Sequence, residues 1–465
     1  MNVRHVEVMV VGAGITGLLT ARQLAAAGAR VTIIEAGDHV GGQLRSEHHD
    51  GRIVDVGAEA LHTAAPGVQD LLEDLGLGGD VVTAAGGATW IATARGLRPL
   101  PTGMGPAGPT RLWPVATSRV LSPVGLLRAA CEPLRPRTPL DGDTAVGSYL
   151  TGRFGWQVTD RLLDPLLGNL HAGDVHRLSL AAATPNLDRL ARSHRSLVLA
   201  RRSAARGAPG PSFVTVRGGL GRIAAALGSD PRIDLRTATP VRVIEPDGHG
   251  YRVVAATGET WRVEAVVLAI PAAVAARSLT PLDEAAAELN RGRTASVATV
   301  VVGYDRDAAR RLAGTGLLVP STSPHLLKAA TYLSAKWPHL AEGPTFLVRL
   351  SAGRADDRRV DDLDDSDLVD RLHADLAALT GLSRRPVSAL VHRWQDTMPQ
   401  LEVGHAERIA RIRDRLGSRR VALAGASYDG VGITSCLRSA RRAAEQTLQS
   451  CELSGRPGSM KVSPR

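Results

Sequence analysis

Cysteine, aromatic residues and lysine are all scarce in this 465-residue chain, and each shortage bears on what the protein does. The three cysteines, Cys131, Cys436 and Cys451, are too few and too scattered for a disulfide framework, and none forms a CxxC or zinc-ligand spacing. They point to a reducing, cytoplasmic setting and to no metal centre. Aromatic residues make up only 3% of the chain, too few stacking platforms for single-stranded nucleic acid. Long apolar runs are missing as well: residues 265–276 are interrupted by Pro271 and fall short of the ~18 that a membrane span needs. The chain starts without a charged-then-apolar leader, because Val6 to Val11 runs straight into a glycine loop. No membrane span is expected, while peripheral contact with a membrane surface stays open.

What the chain has in quantity is arginine. Lys and Arg together number 56, and with only Lys328, Lys336 and Lys461 as lysines, 53 are Arg against 46 acidic residues, for a net charge of +10. No nucleic-acid motif accompanies this charge, so nucleic acid is not an expected partner. The apolar share of 44% and charged share of 22% describe a globular protein, and the length suits two domains or one discontinuous pair.

Residues Val6 to Val11 are apolar and β-branched enough for a buried parallel strand, and Gly12-Ala13-Gly14-Ile15-Thr16-Gly17 leads from them into a helix, Leu18 to Ala27. A second strand, Val31 to Ile34, ends at Glu35. Strand, GxGxxG, helix, strand, acid is the pattern of a dinucleotide site. Gly12 makes the tight turn, Gly14 admits a pyrophosphate to the backbone, and Gly17 lets helix and strand pack closely. The helix start offers free N–H groups to the phosphates, and Glu35 stands where ribose hydroxyls are bound. No second GxGxxG lies in a βαβ setting, so a nicotinamide domain is not expected; with no CxxC either, electrons must pass to oxygen or another external acceptor.

The stretch Glu35-Ala36-Gly37-Asp38-His39-Val40-Gly41-Gly42-Gln43-Leu44-Arg45 resembles the acid-then-Gly-Gly extension of the flavin amine oxidase and protoporphyrinogen oxidase superfamily, and Asp55-Val56-Gly57-Ala58-Glu59 resembles its next flavin-side turn. His39 and Gln43 stand where those families often carry Arg. Near the other end, residues 421–433 read as a strand and glycine turn feeding a helix whose start could face the N1/C2=O edge of a flavin.

The chain as a whole resembles the bacterial oxygen-dependent coproporphyrinogen III and protoporphyrinogen oxidases. The matching stretches are Asp164-Pro165-Leu166-Leu167-Gly168, Ala172-Gly173-Asp174, Val216-Arg217-Gly218-Gly219-Leu220-Gly221, Lys328-Ala329-Ala330-Thr331, Lys336-Trp337-Pro338-His339, Met398-Pro399-Gln400 and Tyr428-Asp429-Gly430-Val431-Gly432-Ile433. Two departures fall in regions that could line a substrate pocket: His171, where relatives often have an aromatic residue, and Leu61-His62-Thr63-Ala64-Ala65, which replaces a segment usually carrying Phe and basic residues.

The resemblance implies FAD-dependent dehydrogenation of a porphyrinogen to the porphyrin in haem biosynthesis, with molecular oxygen as acceptor and hydrogen peroxide as product. A diverged amine or C–N oxidase acting on a smaller substrate is the alternative. The implied fold is α/β: a Rossmann-like FAD-binding domain with an interleaved mixed-sheet substrate domain and a helical segment. The expected organisation is an FAD-binding domain of residues 1–94, 206–280 and 395–452, a helical, substrate-side segment at 95–205, a substrate domain at 281–394 and a flexible tail at 453–465.

The expected cofactor contacts are Gly12, Gly14, Gly17, Glu35, Ala36, Gly41, Gly42, Arg45, Gly57, Ala58, Val241, Gly425, Val431, Gly432 and Ile433. Asn169 and His171 are candidates to face the substrate. Lys336 is a candidate to hold a carboxylate or a water near the flavin, against the plainer reading of a surface lysine beside Trp337. The basic run Arg189, Arg192, Arg195, Arg201, Arg202 and Arg206 could gather an acidic substrate or form a solvated face.

Overall fold

The computed structural model describes residues 7–63, 65–204 and 213–454. Arg206, Ala64 and most of the tail expected at 453–465 lie outside the described residues. The first strand occupies Glu7–Val11, at the centre of a five-stranded parallel sheet with spatial order Ile233–Arg236, Arg30–Ile34, Glu7–Val11, Ala265–Leu268, Val421–Leu423. Alternate residues of the central strand enter opposite cores. Val8 and Val10 pack with the helices Ile15–Ala26, Gly221–Gly228 and Ile433–Ser454, while Met9 and Val11 pack with Ala272–Leu279 and His405–Gly417. Apolar cover on both faces is why these strands read as continuous hydrophobic runs.

A second, seven-stranded mixed sheet has the order Ser388–Pro399, Thr294–Tyr304, Phe346–Ala352, Leu327–Thr331, Gly316–Leu318, Thr89–Thr93, Gly96–Pro99. Its pairings are antiparallel except between Gly316–Leu318 and Thr89–Thr93. Leu368, Leu372 and Leu376 of the helix Asp365–Thr380 cover one face, together with Val300, Val302, Val348 and Leu350. The opposite face presents Val301 and Leu347 to Val54 and Val56, which belong to the chain leaving the glycine-rich loops.

Two expected boundaries need correction. The limit at residue 94 separates Thr89–Thr93 from its own hairpin partner Gly96–Pro99, since both belong to the seven-stranded sheet. Gly96, at φ +89°, closes this hairpin, so the Pro- and Gly-rich run that begins there continues a strand pair rather than opening a separate segment. The limit at 394 likewise falls inside the strand Ser388–Pro399.

A helical segment packs around its own core of Val146, Leu150, Phe154, Leu162, Leu163 and neighbouring apolar residues, which also takes in Ile91 of the seven-stranded sheet. A buried ion pair ties it together. Glu132 and Arg153, 0% and 1% exposed, meet at 2.6 Å, and the Glu132 carboxylate also accepts from the Ser196 hydroxyl and the Leu197 N–H. Removing one partner of such a pair strands a buried charge. Glu132→Ala is expected to cost about 3–5 kcal/mol of stability, read as a loss in denaturant-unfolding free energy.

Candidate active site

The carboxyl ends of Glu7–Val11 and Ala265–Leu268 open onto a crevice where the strand order reverses, the position at which doubly wound sheets take ligands. Gly12 has φ +101°, and a Cβ on it would lie 2.6 Å from the Ala269 carbonyl oxygen. A Cβ on Gly17 would come within 1.9 Å of the Gly12 carbonyl oxygen, so the helix can lie on the loop only without a side chain there. Gly14 differs in kind. It caps the helix Ile15–Ala26, and a Cβ on it would meet no protein atom within 4 Å.

Two further turns stack on this loop. Gly41 donates its N–H to the Ala13 carbonyl at 2.8 Å, and a Cβ on it would strike the Leu44 carbonyl oxygen at 2.6 Å. Gly42 lies against Gly14, its Cβ position 3.3 Å from the Gly14 Cα. Gly57 presses so closely on the Gln43 carbonyl that a Cβ would sit 1.9 Å from its oxygen, and the Ala58 N–H donates to the same oxygen at 2.8 Å. The Glu35 carboxylate accepts from the N–H groups of Ala13 at 2.7 Å and Gly37 at 2.9 Å, which fixes its direction and leaves lone pairs for ribose hydroxyls. Ala36 beside it is exposed, and Val241 is half-buried at the start of the strand Val241–Asp247. Arg45 turns its Nε to Glu47 at 3.2 Å.

The C-terminal turn reaches the same crevice. Gly425, Gly430 and Gly432 all have positive φ, and the helix Ile433–Ser454 starts directly after them, with Val431 and Ile433 half-buried and Gly432 exposed. A Cβ on Gly425 would lie 3.8 Å from the Thr16 hydroxyl, which sets this turn beside the first helix. Asp429 braces it, accepting from Arg413 at 2.8 Å, Arg442 at 2.7 Å and the Ser439 hydroxyl. The arrangement brings the glycines and Glu35 of the expected cofactor set around one crevice.

On the substrate side the structure assembles a group only partly visible in the sequence. Glu59, 7% exposed, accepts from the Lys336 ammonium and the Trp337 indole, each at 2.8 Å, and from Arg349 at 3.0 Å. Burial alone would raise its pKa, but the two cations outweigh burial and hold it at about 2. Lys336 is therefore an ion-pair partner joining the flavin-side turn to the seven-stranded sheet. Its ammonium also lies 5.8 Å from the ring centre of Phe213, which meets the His62 ring edge-on. Phe213 thus sets an aromatic ring beside the segment at 61–65 that lacks one.

His171 is buried, its Nδ1 without a partner, and desolvation lowers its pKa to about 4, so the ring is neutral. The Asn169 amide bridges the carbonyls of Lys328 at 2.7 Å and Val319 at 3.3 Å, so it braces the end of the helical segment against the sheet. Much of the expected basic run is tied locally: Arg189 to Asn186, Arg192 to Asp188, Leu140 and Gly142, and Arg195 to Pro133. The site residues missed in the sequence are Glu59, Phe213, Arg349, Arg354 and Lys328. The rarity of lysine was a usable signal and applied to Lys328 as much as to Lys336.

The fold is of the doubly wound α/β class, with glycine turns stacked at the carboxyl ends of its central strands. Over residues 15–448 the chain matches the family described as flavin containing amine oxidoreductase, and it belongs to that family. It is 33% identical to the coproporphyrinogen III oxidase of Propionibacterium freudenreichii subsp. freudenreichii, covering 96% of this chain and 91% of the relative. It is 29% identical to the coproporphyrinogen III oxidase of Bacillus subtilis, covering 95% and 98%. Among solved structures, a chain from Exiguobacterium sp. 255-15, provisionally named a protoporphyrinogen oxidase, superposes with a TM-score of 0.85 at 28% identity, covering 96% of this chain and 99% of that one. The protein is a flavin-dependent oxidoreductase. Among the described residues, no helix is long and apolar enough to cross a membrane.

The Glu59 cluster makes a prediction about acid stability. Because the folded-state pKa of Glu59 lies below its unfolded value of 4.5, its contribution is complete above that pH and is lost as the pH falls towards 2. Glu59→Gln is expected to shallow the acid limb of the stability-versus-pH curve by about one proton, measured by urea unfolding across that range.

Proposed function

We propose that this protein binds FAD and oxidises a porphyrinogen, with coproporphyrinogen III the favoured substrate, to the porphyrin in haem biosynthesis. The observation that carries this reading is end-to-end similarity to relatives named coproporphyrinogen III oxidase, at 29% to 34% identity over about 95% of the chain. The site's chemistry agrees: its charged groups are positioned to bind and orient rather than to attack or cleave.

In this reading Gly14 and the start of the helix Ile15–Ala26 receive the pyrophosphate, and Glu35 accepts from the ribose hydroxyls. Gly41, Gly42, Gly57 and Ala58 shape the wall along which the cofactor lies. The turn at Gly430 to Gly432 and the helix start at Ile433 would hold the flavin ring end, where the helix dipole would favour the negative charge that develops on reduction. A bound FAD supplies the hydride acceptor for a meso carbon and, once reduced, the electron donor to molecular oxygen. The chain's own part is to place the macrocycle against that cofactor and to neutralise its carboxylates, because aromatisation favours the reaction and water can carry the pyrrole protons. With its ammonium committed to Glu59, Lys336 positions the flavin-side turn instead of holding a reactive water.

Two experiments test this. Purified protein mixed anaerobically with coproporphyrinogen III should bleach its flavin absorbance, and on admitting air should yield fluorescent porphyrin and peroxide; bound FAD with no such turnover refutes the assignment. Gly14→Ala should fold yet purify with much less flavin, unfolding at the temperature of flavin-stripped wild type, since its Cβ would meet no protein atom within 4 Å and would stand where the pyrophosphate would approach. Gly17→Ala, by contrast, should lower that temperature in the flavin-free protein.

A further inference from the structure

Lys328 is buried, 5% exposed, in the strand Leu327–Thr331 of the seven-stranded sheet. The register there passes from Leu327 opposite Ala352 to Ala329 opposite Ser351, so Lys328 is the extra residue of a bulge. A bulge re-aims a side chain. On the helix-covered side, Asp375 is engaged with the Leu326 and Leu327 N–H groups and forms no ion pair with Lys328. The charges that act on Lys328 are the guanidinium groups of Arg354 and Arg349, and no acceptor lies within hydrogen-bonding distance of the Lys328 ammonium among the described residues.

Arg354 is in a similar state. Its Nη2 donates to the Val319 carbonyl at 3.0 Å, while its Nη1 is buried without a partner. The nearby Asp164 carboxylate accepts from the Ser321 N–H at 2.7 Å and forms no ion pair with Arg354 within 4.0 Å. Arg349 is already engaged with Glu59 and the Gly57 carbonyl. The end of the helical segment closes over the cluster, with Asn169 bonded to the Lys328 carbonyl and the Ala355 N–H bonded to the Ala172 carbonyl.

Glu59 offsets Arg349, and Asp164 and Asp357 act on Arg354, but among the described residues no carboxylate pairs with the Lys328 ammonium. A buried ammonium left so beside two guanidinium groups is costly, and an anion would complete it. We propose that Lys328 and the free edge of Arg354 form a subsite for one peripheral carboxylate of the substrate, between the helical segment and the flavin-side face of the seven-stranded sheet. The inference rests on the porphyrinogen reading above and deepens it by naming the residues that hold the substrate's acidic arm. Burial, then Arg354 and Arg349, lowers the Lys328 pKa to about 7 in the free protein, and a bound carboxylate would raise it.

The test is binding of coproporphyrin III and of its tetramethyl ester to the FAD-loaded protein, followed by porphyrin fluorescence, in wild type and Lys328→Met. The free acid should bind the variant about tenfold or more weaker, the loss of one charge-assisted contact, while the ester's affinity stays unchanged. The ligand-free variant should unfold at the wild-type temperature or above it, whereas a merely structural lysine would lower it on removal. A variant that binds the free acid as tightly as wild type overturns the subsite and leaves the proposed reaction standing. Wild-type protein that binds neither porphyrin overturns both. Lys328→Gln repeats the comparison should the methionine variant fail to fold.

Discussion

The glycine turns and the seven-stranded sheet are joined through the carboxylate of Glu59. It stands two residues after Gly57, whose own position is dictated by contact with the Gln43 carbonyl, and it takes Lys336, Trp337 and Arg349 from the other side. A carboxylate this deeply buried is tolerable only with its charge matched and its lone pairs filled. Both oxygens are used, and Arg349 adds a second anchor by donating to the Gly57 carbonyl at 2.6 Å. The glycine turns on one side and the substrate sheet on the other therefore share a fixed reference.

The first of these turns was legible in the sequence because its requirement is local. Gly12 and Gly17 answer to atoms only a few residues away, or across to the strand end at Ala269, and a strand followed by a helix frames them. The acid at Glu35 is read the same way. Glu59 was visible as part of a family-like turn, but its partners stand 277 to 290 residues further along and depend on register in another sheet. Lys328 owes its orientation to a bulge, which no hydrophobic pattern announces. The boundaries at 94 and 394 misplaced strand segments for a related reason: a strand's sheet is decided by its neighbour, and Thr89–Thr93 finds its neighbours at Gly316–Leu318 and Gly96–Pro99.

The division of labour between arginine and lysine is also clearer in the structure. Arginine makes most of the ion pairs among the described residues, many of them at the surface, where a planar fork can hold a carboxylate and nearby carbonyls together. The two described lysines are placed otherwise, one in the Glu59 cluster and one buried at the bulge. A compact ammonium on a flexible stem fits where a guanidinium would need more acceptors than the interior supplies. In a chain so short of lysine, both described examples sit within reach of the site.

The topology of the parallel sheet has a consequence for how the protein is made. Its central strand, Glu7–Val11, is translated well before Ala265–Leu268, which must follow before the strand has both neighbours, and before Val421–Leu423, which completes the far edge of the sheet. Throughout synthesis a nascent chain therefore carries apolar strand edges awaiting partners that have not yet been translated. Parallel pairing over such separations is slow to form and exposed to aggregation while it waits. The discontinuity that gathers loops from distant parts of the chain at one end of the sheet is therefore bound up with slow completion of that sheet.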